Sequence, residues 1–406
     1  MVIVFVIDSY NDRSNGTSMT AFRFARELIR LGHEVRIVAT NITNEKGVMA
    51  KGDRGDEGER LYGVREHYIP IVTEVSRKQH MIFGMPDTKI LKEVFSGADI
   101  VHFYMPFKLE IVGLHLCREM RIPYITAFHV QPQHISYNMN MDFNWFNHYL
   151  YMRFYRAFYR YSHHIHCPSK LMESELNRVG YGGKKYVISN GFELKNTATT
   201  ETNLDSSYFN IASVGRLSKE KRQDILIKAI AKSKYANKIK LHLHGIGPRE
   251  SYLKGLCEQL LQGHYEFGYI ENSLLMQKIC KMDLYVHPAQ VESEAISCLE
   301  AVSFGVVPVI ADSKISATNQ FALDNRSIFQ TNNVNDLCAK IEYWIEHKEE
   351  LMVMRDKYKE SAKQYALKLS IEKIEQVYKE AIKDFKDNPE LFTQINPIAE
   401  SKTQSK

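Results

Sequence analysis

From its first residue the chain alternates short β-branched runs with stretches in which apolar residues recur every three or four positions. MVIVFVID reads as a buried strand, Met19, Phe22, Ala25, Leu28 and Ile29 share one face of a helix, Gly32 stops that helix, and VRIVAT reads as the next strand. ADIVHFY, PYITAFH, HIHCPS and KYVISN continue the series. This rhythm predicts an α/β fold built on a parallel, doubly wound sheet.

The pattern lapses in LKNTATTETNLDSS, which is polar, Thr-rich and unpatterned, and resumes in NIASVG, IKLHLHG, HYEFGY, DLYVHP and VVPVIAD. The predicted organisation is therefore a Rossmann-like domain over 1–191, a linker over 192–207 and a second Rossmann-like domain over 208–370. Ile371, Ile374, Val377, Ala381, Ile382 and Phe385 keep helical spacing, so a C-terminal helix over 371–392 is expected to return to the first domain, followed by a loose tail over 393–406. Two such halves place a ligand cleft between them at the carboxyl ends of their strands.

Composition narrows the class. A chain of 406 residues is too long for one ordinary core, and 44% hydrophobic with 25% charged residues is globular usage. A formal charge of +5 suits an anionic ligand or membrane surface, and equally a solvated face. The first strand lacks the basic start of a signal peptide, and no later run is long and apolar enough to span a bilayer. Six scattered cysteines without paired spacing read as reduced, mostly buried thiols of a cytoplasmic protein.

Three stretches carry candidate chemistry. NIASVG runs into GRLSKEKRQDILIKAI, where Arg216 and Lys221 flank a turn that opens a helix. Two cations beside helix N-terminal amides suit a diphosphate, and a solvated turn paired with Glu220 is the plain alternative. HGIGPRE is a weak Gly-rich signal by itself. QVESEAISCLEA holds Glu292 and Glu300, whose separation fits a loop carboxylate followed by one inside the next helix. No Asp-x-Asp occurs, so paired aspartates holding a metal against a diphosphate are not indicated. His163, His164 and His166 alternate along a strand without a cysteine or carboxylate to complete a metal set, and read as core or interdomain histidines.

Taken together, GRLSKEKR, HGIGP, ESEAISCLE, EAVSFGVVPVI and NGTSMTAFRFARELIRLGHEVRIVAT resemble, in order, the retaining glycosyltransferases of family 4, which have the GT-B fold of two Rossmann-like domains facing across a cleft. SNGTSMTAFRF, QPQHISYNM, HHIHCPSK, YGGKKYVISNGF, VESEAISCLEA and SATNQFALDNRS narrow the resemblance to bacterial lipid α-hexosyltransferases acting on sterol, ceramide or diacylglycerol. The resemblance implies transfer of α-glucose or α-galactose from a UDP-sugar to a lipid hydroxyl, with retention and without metal or other cofactor. It implies peripheral attachment to the anionic inner face of the plasma membrane and no nucleic-acid partner.

It also implies residue roles. Glu292 would bond donor-sugar hydroxyls, Glu300 the ribose, Arg216 and Lys221 the diphosphate, and His129 would face the sugar at the reacting bond. Asn15 and Gly16 would approach the phosphates, Gly215, Ala295 and Ile296 would line the sugar-phosphate site, and Tyr269 and Ile270 would lie near the base. Two departures stand out. Asn15 with Gly16 replaces the usual two glycines, a change that a left-handed Asn would tolerate, and Ser293, Glu294 and Ala295 replace a Gly-aromatic-Gly run, removing backbone freedom beside the sugar.

The acceptor side is less defined. WFNHYLYMRFYRAFYRYSHH places Tyr151, Phe154, Tyr155 and Phe158 on one helical face and Arg153, Arg156 and Arg160 on the other, as either an interfacial helix on anionic lipid or a core helix with wet arginines. Residues 51–87 fit poorly to a compact sheet and, with the turn QPQHISYNMNMDF, are expected to supply acceptor contacts. Other readings are a family 4 enzyme acting on a non-lipid glycan, a sugar phosphorylase, which lacks its motif here, or a nucleotide-binding regulator without turnover, for which no strand is followed by a full G-x-G-x-x-G.

Overall fold

A computed structural model describes residues 1–12, 15–68, 70, 72–78, 81–193 and 204–398. The chain divides into two compact units, the first from residues 1–136, 141–190 and 367–406, the second from 137–140 and 191–366.

In the first unit, β1 (Val2–Val6), β2 (Glu34–Thr40), β3 (Lys51–Arg54), β4 (Arg60–Val64), β5 (Ile100–Phe103), β6 (Tyr124–Ala127), β7 (His164–Cys167) and β8 (Lys184–Val187) form one sheet in the order β3-β4-β2-β1-β5-β6-β7-β8. Only β3 runs antiparallel to its neighbour. Helix Gly16–Arg30 joins β1 to β2 and buries Ala21, Phe24, Ala25 and Leu28, which recur at helical spacing. The same core receives Ile371, Ile374, Val377 and Ala381 of helix Leu367–Asp387.

In the second unit, β9 (Phe209–Val214), β10 (Ile239–His244), β11 (Tyr265–Gly268), β12 (Leu284–His287), β13 (Val307–Ala311) and β14 (Ile328–Phe329) lie in the order β11-β10-β9-β12-β13-β14, all parallel. The central strands are buried along almost their whole length. Helices cover both faces of such a sheet, which is why these runs are continuous in apolar residues rather than alternating. Each unit is thus Rossmann-like, and in each the order reverses beside its first strand, between β1 and β5 and between β9 and β12. Ligands of such sheets bind at that reversal, outside the carboxyl ends of the strands.

Several expectations are corrected in detail. Phe192 is no linker residue: it is 2% exposed in the second unit's core and its amide bonds Tyr365 O at 3.3 Å. Residues 194–203 of the expected linker lie outside the described residues. The return to the first unit begins at Leu367 rather than Ile371, because Leu367 and Ser370 are already buried. The tail is held as far as Asn396, whose side chain donates to Ser162 O at 2.7 Å and whose amide donates to Arg160 O at 2.7 Å.

Residues 51–64, expected to fit a sheet poorly, supply β3 and β4. KGDR has no apolar face to announce a strand, and its charges suit an exposed edge. Of the expected acceptor excursion, residues 69, 71, 79 and 80 lie outside the described residues. The supposed turn at QPQHISYN contains the short helix Pro132–Asn138. Helix Asn144–Ala157 buries Tyr151, Phe154 and Tyr155, with Phe158 at its end, so of the two readings of this stretch the structure takes the core helix for this aromatic face.

Candidate functional site

The strand reversal of the second unit gathers most of the residues singled out above. Strand β9 ends at Val214 and runs into Gly215, Arg216 and Leu217, while the turn after β10 carries Gly245 and Gly247. A Cβ at Gly245 would lie 1.9 Å from Gly215 O, and one at Gly247 would lie 2.5 Å from Leu217 O. Both glycines also have φ above +150°, a region closed to most side chains. HGIGP is therefore glycine-rich because two strand-end turns touch, sealed by Leu217 N to Ile246 O at 2.9 Å and Arg249 N to Leu217 O at 2.8 Å.

On the other side of the reversal, β12 leads to Glu292. Its backbone is pinned by Ala317 N donating to Glu292 O at 2.9 Å and by a bridge to Ser316. Its Oε1 accepts from Lys221 Nζ and from His287 Nε2, the latter at 2.9 Å. Burial raises the carboxyl pKa, but Lys221 and then His287 outweigh it and hold the acid well below the usual range. Lys221 thus pairs with Glu292. Glu220, its alternative partner in the sequence, is buried and accepts from Ser218 Oγ at 2.6 Å, while its carbonyl accepts from Gln290 N at 2.7 Å. Arg216 differs: among the described residues its guanidinium has neither hydrogen bond nor ion pair, while its carbonyl accepts from Gln223 Nε2 at 2.8 Å and from Ser218 N at 3.0 Å.

Helix Ile296–Ser303 follows Glu292, so the first carboxylate precedes the helix and Glu300 lies inside it, buried. Ala295 caps the helix at φ 70° and ψ 66°. The left-handed backbone that glycine would supply is thus retained by an alanine at a cost of about 1–2 kcal/mol, so the departure from the family pattern adds strain without removing the turn. Ser297 Oγ donates to Val214 O at 3.0 Å, and Tyr285 OH reaches Ser297 Oγ at 2.9 Å. This fastens the helix start to the end of β9 and brings its free amides beside the Gly215–Arg216 turn. Tyr269 and Ile270 follow β11, with Tyr269 exposed and Ile270 partly buried against the core.

The first unit presents a different chemistry at its reversal. Asn15 is extended, φ −87°, and caps helix Gly16–Arg30 by accepting from Thr17 N at 2.9 Å. Its role here is capping, so the expected left-handed tolerance is not used. His129 follows β6 and is buried, stacked on Tyr104 with ring centroids 5.6 Å apart and edge-on to His166 at 5.2 Å. Burial, and next the neighbouring His166, push its pKa well below the ordinary value, so it is neutral. Asp8, after β1, takes Gly84 N at 2.6 Å on its carboxylate, and its own amide donates to Glu110 Oε1 at 3.1 Å. Burial raises Asp8 to about 7 against the Gly84 hydrogen bond, and burial together with Asp8 raises Glu110 well above its ordinary value.

Sequence reading missed His287, Tyr285, Ser297, Asp8 and Glu110. DLYVHP and FVID contain three of them, but each reads as strand or flank until the sheet order brings it to a reversal. Among the described residues two side-chain groups have metal-like geometry, His242 with His244 and Glu266, and His164 with Glu380 and Asp384. The second corrects the expectation that no carboxylate joins the 163–166 histidines. In both groups a lysine already supplies the positive charge, Lys240 at 3.2 Å from Glu266 and Lys184 at 2.7 Å from Asp384. All six cysteines are free, and five are buried.

Comparison with known proteins follows the same division. The model of group 1 glycosyl transferases matches residues 195–365, and that of Glycosyltransferase Family 4 matches residues 14–196. The GDP-mannose-dependent alpha-mannosyltransferase of Mycolicibacterium smegmatis is 25% identical over 77% of this chain and 79% of its own length. The alpha-monoglucosyldiacylglycerol synthase of Streptococcus pneumoniae is 24% identical over 77% and 71%. The solved catalytic domain of cholesterol-alpha-glucosyltransferase from Helicobacter pylori is 52% identical over 39% of this chain and 99% of that one, with a TM-score of 0.38. Anabaena HepE, solved in complex with UDP, covers 94% of this chain and 100% of its own at 16% identity and a TM-score of 0.71, a likeness of fold. Among the described residues no helix is long and apolar enough to cross a membrane.

Proposed function

The chain belongs to the family 4 glycosyltransferases of the GT-B fold, and from that premise we propose that it moves an α-hexose, glucose or galactose, from a UDP-sugar to the hydroxyl of a membrane lipid with retention. The observation that carries the donor half is the joining of Arg216, Lys221, Glu292 and the start of helix Ile296–Ser303 at one strand reversal. The UDP complex of HepE and the lipid acceptors named for the S. pneumoniae and H. pylori proteins support the choice of substrates.

In this reading the diphosphate lies against the helix N-terminus, with the unengaged Arg216 and Lys221 on its oxygens. The sugar hydroxyls donate to Glu292, whose carboxylate is kept ionised by Lys221 and His287. The ribose diol lies on Glu300 and the base near Tyr269 and Ile270. Gly215, Ala295 and Ile296 offer backbone to the sugar and phosphates, and Asn15, Gly16 and neutral His129 serve the reaction from the first unit. The lipid oxygen bonds to the anomeric carbon on the face that UDP leaves, the bond to the β-phosphate oxygen breaks, and that phosphate takes the lipid hydroxyl proton. Charge on the leaving group is met by side chains and amides, so chelators should leave turnover intact.

A second reading, a mannose donor carried on GDP, is favoured by the mycobacterial relative. One assay separates them: UDP-glucose, UDP-galactose and GDP-mannose, each offered cholesterol, ceramide and diacylglycerol in mixed micelles, with nucleotide release and lipid product both measured. An α-linked glycolipid formed from a UDP-hexose is expected. Turnover with GDP-mannose alone replaces the donor, and nucleotide release without glycolipid removes the lipid acceptor.

A further inference from the structure

We propose that the solvent face of helix Asn144–Ala157 is the surface by which this protein docks on an anionic lipid bilayer. The inference rests on the lipid-acceptor reading for its purpose and on separate observations for its place. At 100° per residue, Trp145, Tyr149, Met152, Arg153 and Arg156 fall within an arc of about 100°, opposite the buried Leu150, Tyr151, Phe154 and Tyr155. Trp145 is 66% and Tyr149 50% exposed, and Phe143, just before the helix, is 52% exposed. Their rings form a continuous row: Phe143 stacks on Trp145 at 6.3 Å, Trp145 meets Phe146 edge-on at 5.7 Å, and Phe146 stacks on Tyr149 at 6.3 Å.

A helix has no need of aromatics on both faces. The buried face satisfies the core, so the exposed row is apolar surface that packing does not explain. Its charge complements one occupant. Arg153 and Arg156 are exposed and, among the described residues, have neither ion pair nor hydrogen bond, whereas the nearby acid Asp142 is engaged by Asn147 Nδ2 at 2.9 Å. Trp and Tyr settle at the headgroup level, and arginines beside them meet anionic lipid, so ring row and cations together describe a shallow interfacial contact. Of the two sequence readings, the core helix holds for the face of Tyr151, Phe154 and Tyr155, and the contact proposed here uses the other face.

Trp145 makes the test direct, because the chain has two tryptophans and the other, Trp344, is fully buried. The full chain is mixed with vesicles of phosphatidylcholine alone or with about one third phosphatidylglycerol, and tryptophan emission and co-sedimentation are measured. A blue shift and sedimentation with the anionic vesicles are expected, lost as salt rises. Arg153→Gln with Arg156→Gln should weaken partitioning roughly 25-fold, and Trp145→Phe should abolish the shift. Thermal stabilisation by UDP, and turnover of micelle-dissolved acceptor, should be unchanged in both variants. An unshifted Trp145, or an arginine variant that partitions like the parent, overturns this surface while leaving the transferase reading intact. A shift that follows protein concentration without lipid, with dimers in sedimentation, overturns it in favour of self-association. Vesicle binding through these residues without UDP-sugar turnover would instead remove the transferase reading and keep the surface.

Discussion

The two units share the strand order around the reversal and place their polar residues at the same point of it, yet the electrostatics there are opposite. At the reversal of the second unit Glu292 is ionised, with Lys221 and His287 on one carboxylate oxygen and Arg216 left over. At the reversal of the first, burial neutralises the groups: His129 is kept unprotonated and Asp8 and Glu110 are pushed toward their protonated forms. Topology decides where a site can form, and the local balance of burial against counter-charge decides which ligand it suits. A standing positive charge suits a diphosphate. A neutral lining suits an uncharged hydroxyl.

The largest expected effect breaks the charged side of the comparison. Arg216→Ala or Lys221→Ala should lower kcat about 10²–10³-fold, the usual loss when one group that stabilises developing charge is removed, and UDP release under saturating donor measures it. A loss under fivefold in both variants would mean that the diphosphate lies elsewhere. Gly245→Ala comes next. Its methyl would meet Gly215 O at 1.9 Å, so we expect about 3 kcal/mol of destabilisation in urea titration together with weakened donor binding.

The two reversals should also answer pH in opposite directions. Asp8 has a folded pKa near 7, above its unfolded value of 3.8, so it binds its proton more tightly when folded. Its contribution is present below pH 3.8 and is lost as pH rises toward 7. Glu292 is depressed below 4.5, so its contribution is present above that pH and is lost as pH falls. His129, His102 and His166 of the first unit, depressed by burial, pull that unit the opposite way over the same range. The Asp8 contribution is therefore read as the difference in hydrogen exchange between parent and Asp8→Asn from pH 4 to 7, and the Glu292 contribution as loosening of the second unit below pH 4.5. Asp8→Asn should flatten only the former, by about 4 kcal/mol, and equal slopes in variant and parent would refute the assignment. The smallest change sharpens the comparison: Ala295→Gly should raise stability by up to about 1 kcal/mol by relieving the left-handed alanine, visible as a higher urea midpoint.

Much of this molecule is legible in its sequence because short-range rules govern it. Apolar periodicity marks the parallel strands of both sheets, and GRLSKEKR, HGIGP and the Glu292 to Glu300 spacing mark the strand ends where a donor can lie. Those are statements about neighbours along the chain. What the tertiary structure decided depends on residues distant in sequence. It paired Lys221 with Glu292 rather than Glu220, joined Asp8 to Glu110, and tied Ser297 to Val214. It also chose which face of helix Asn144–Ala157 the core would take, since both faces carry aromatics and only the packing partners distinguish them. Desolvation and counter-charge act through space, so the ionisation that separates the two reversals exists only once the sheets are assembled.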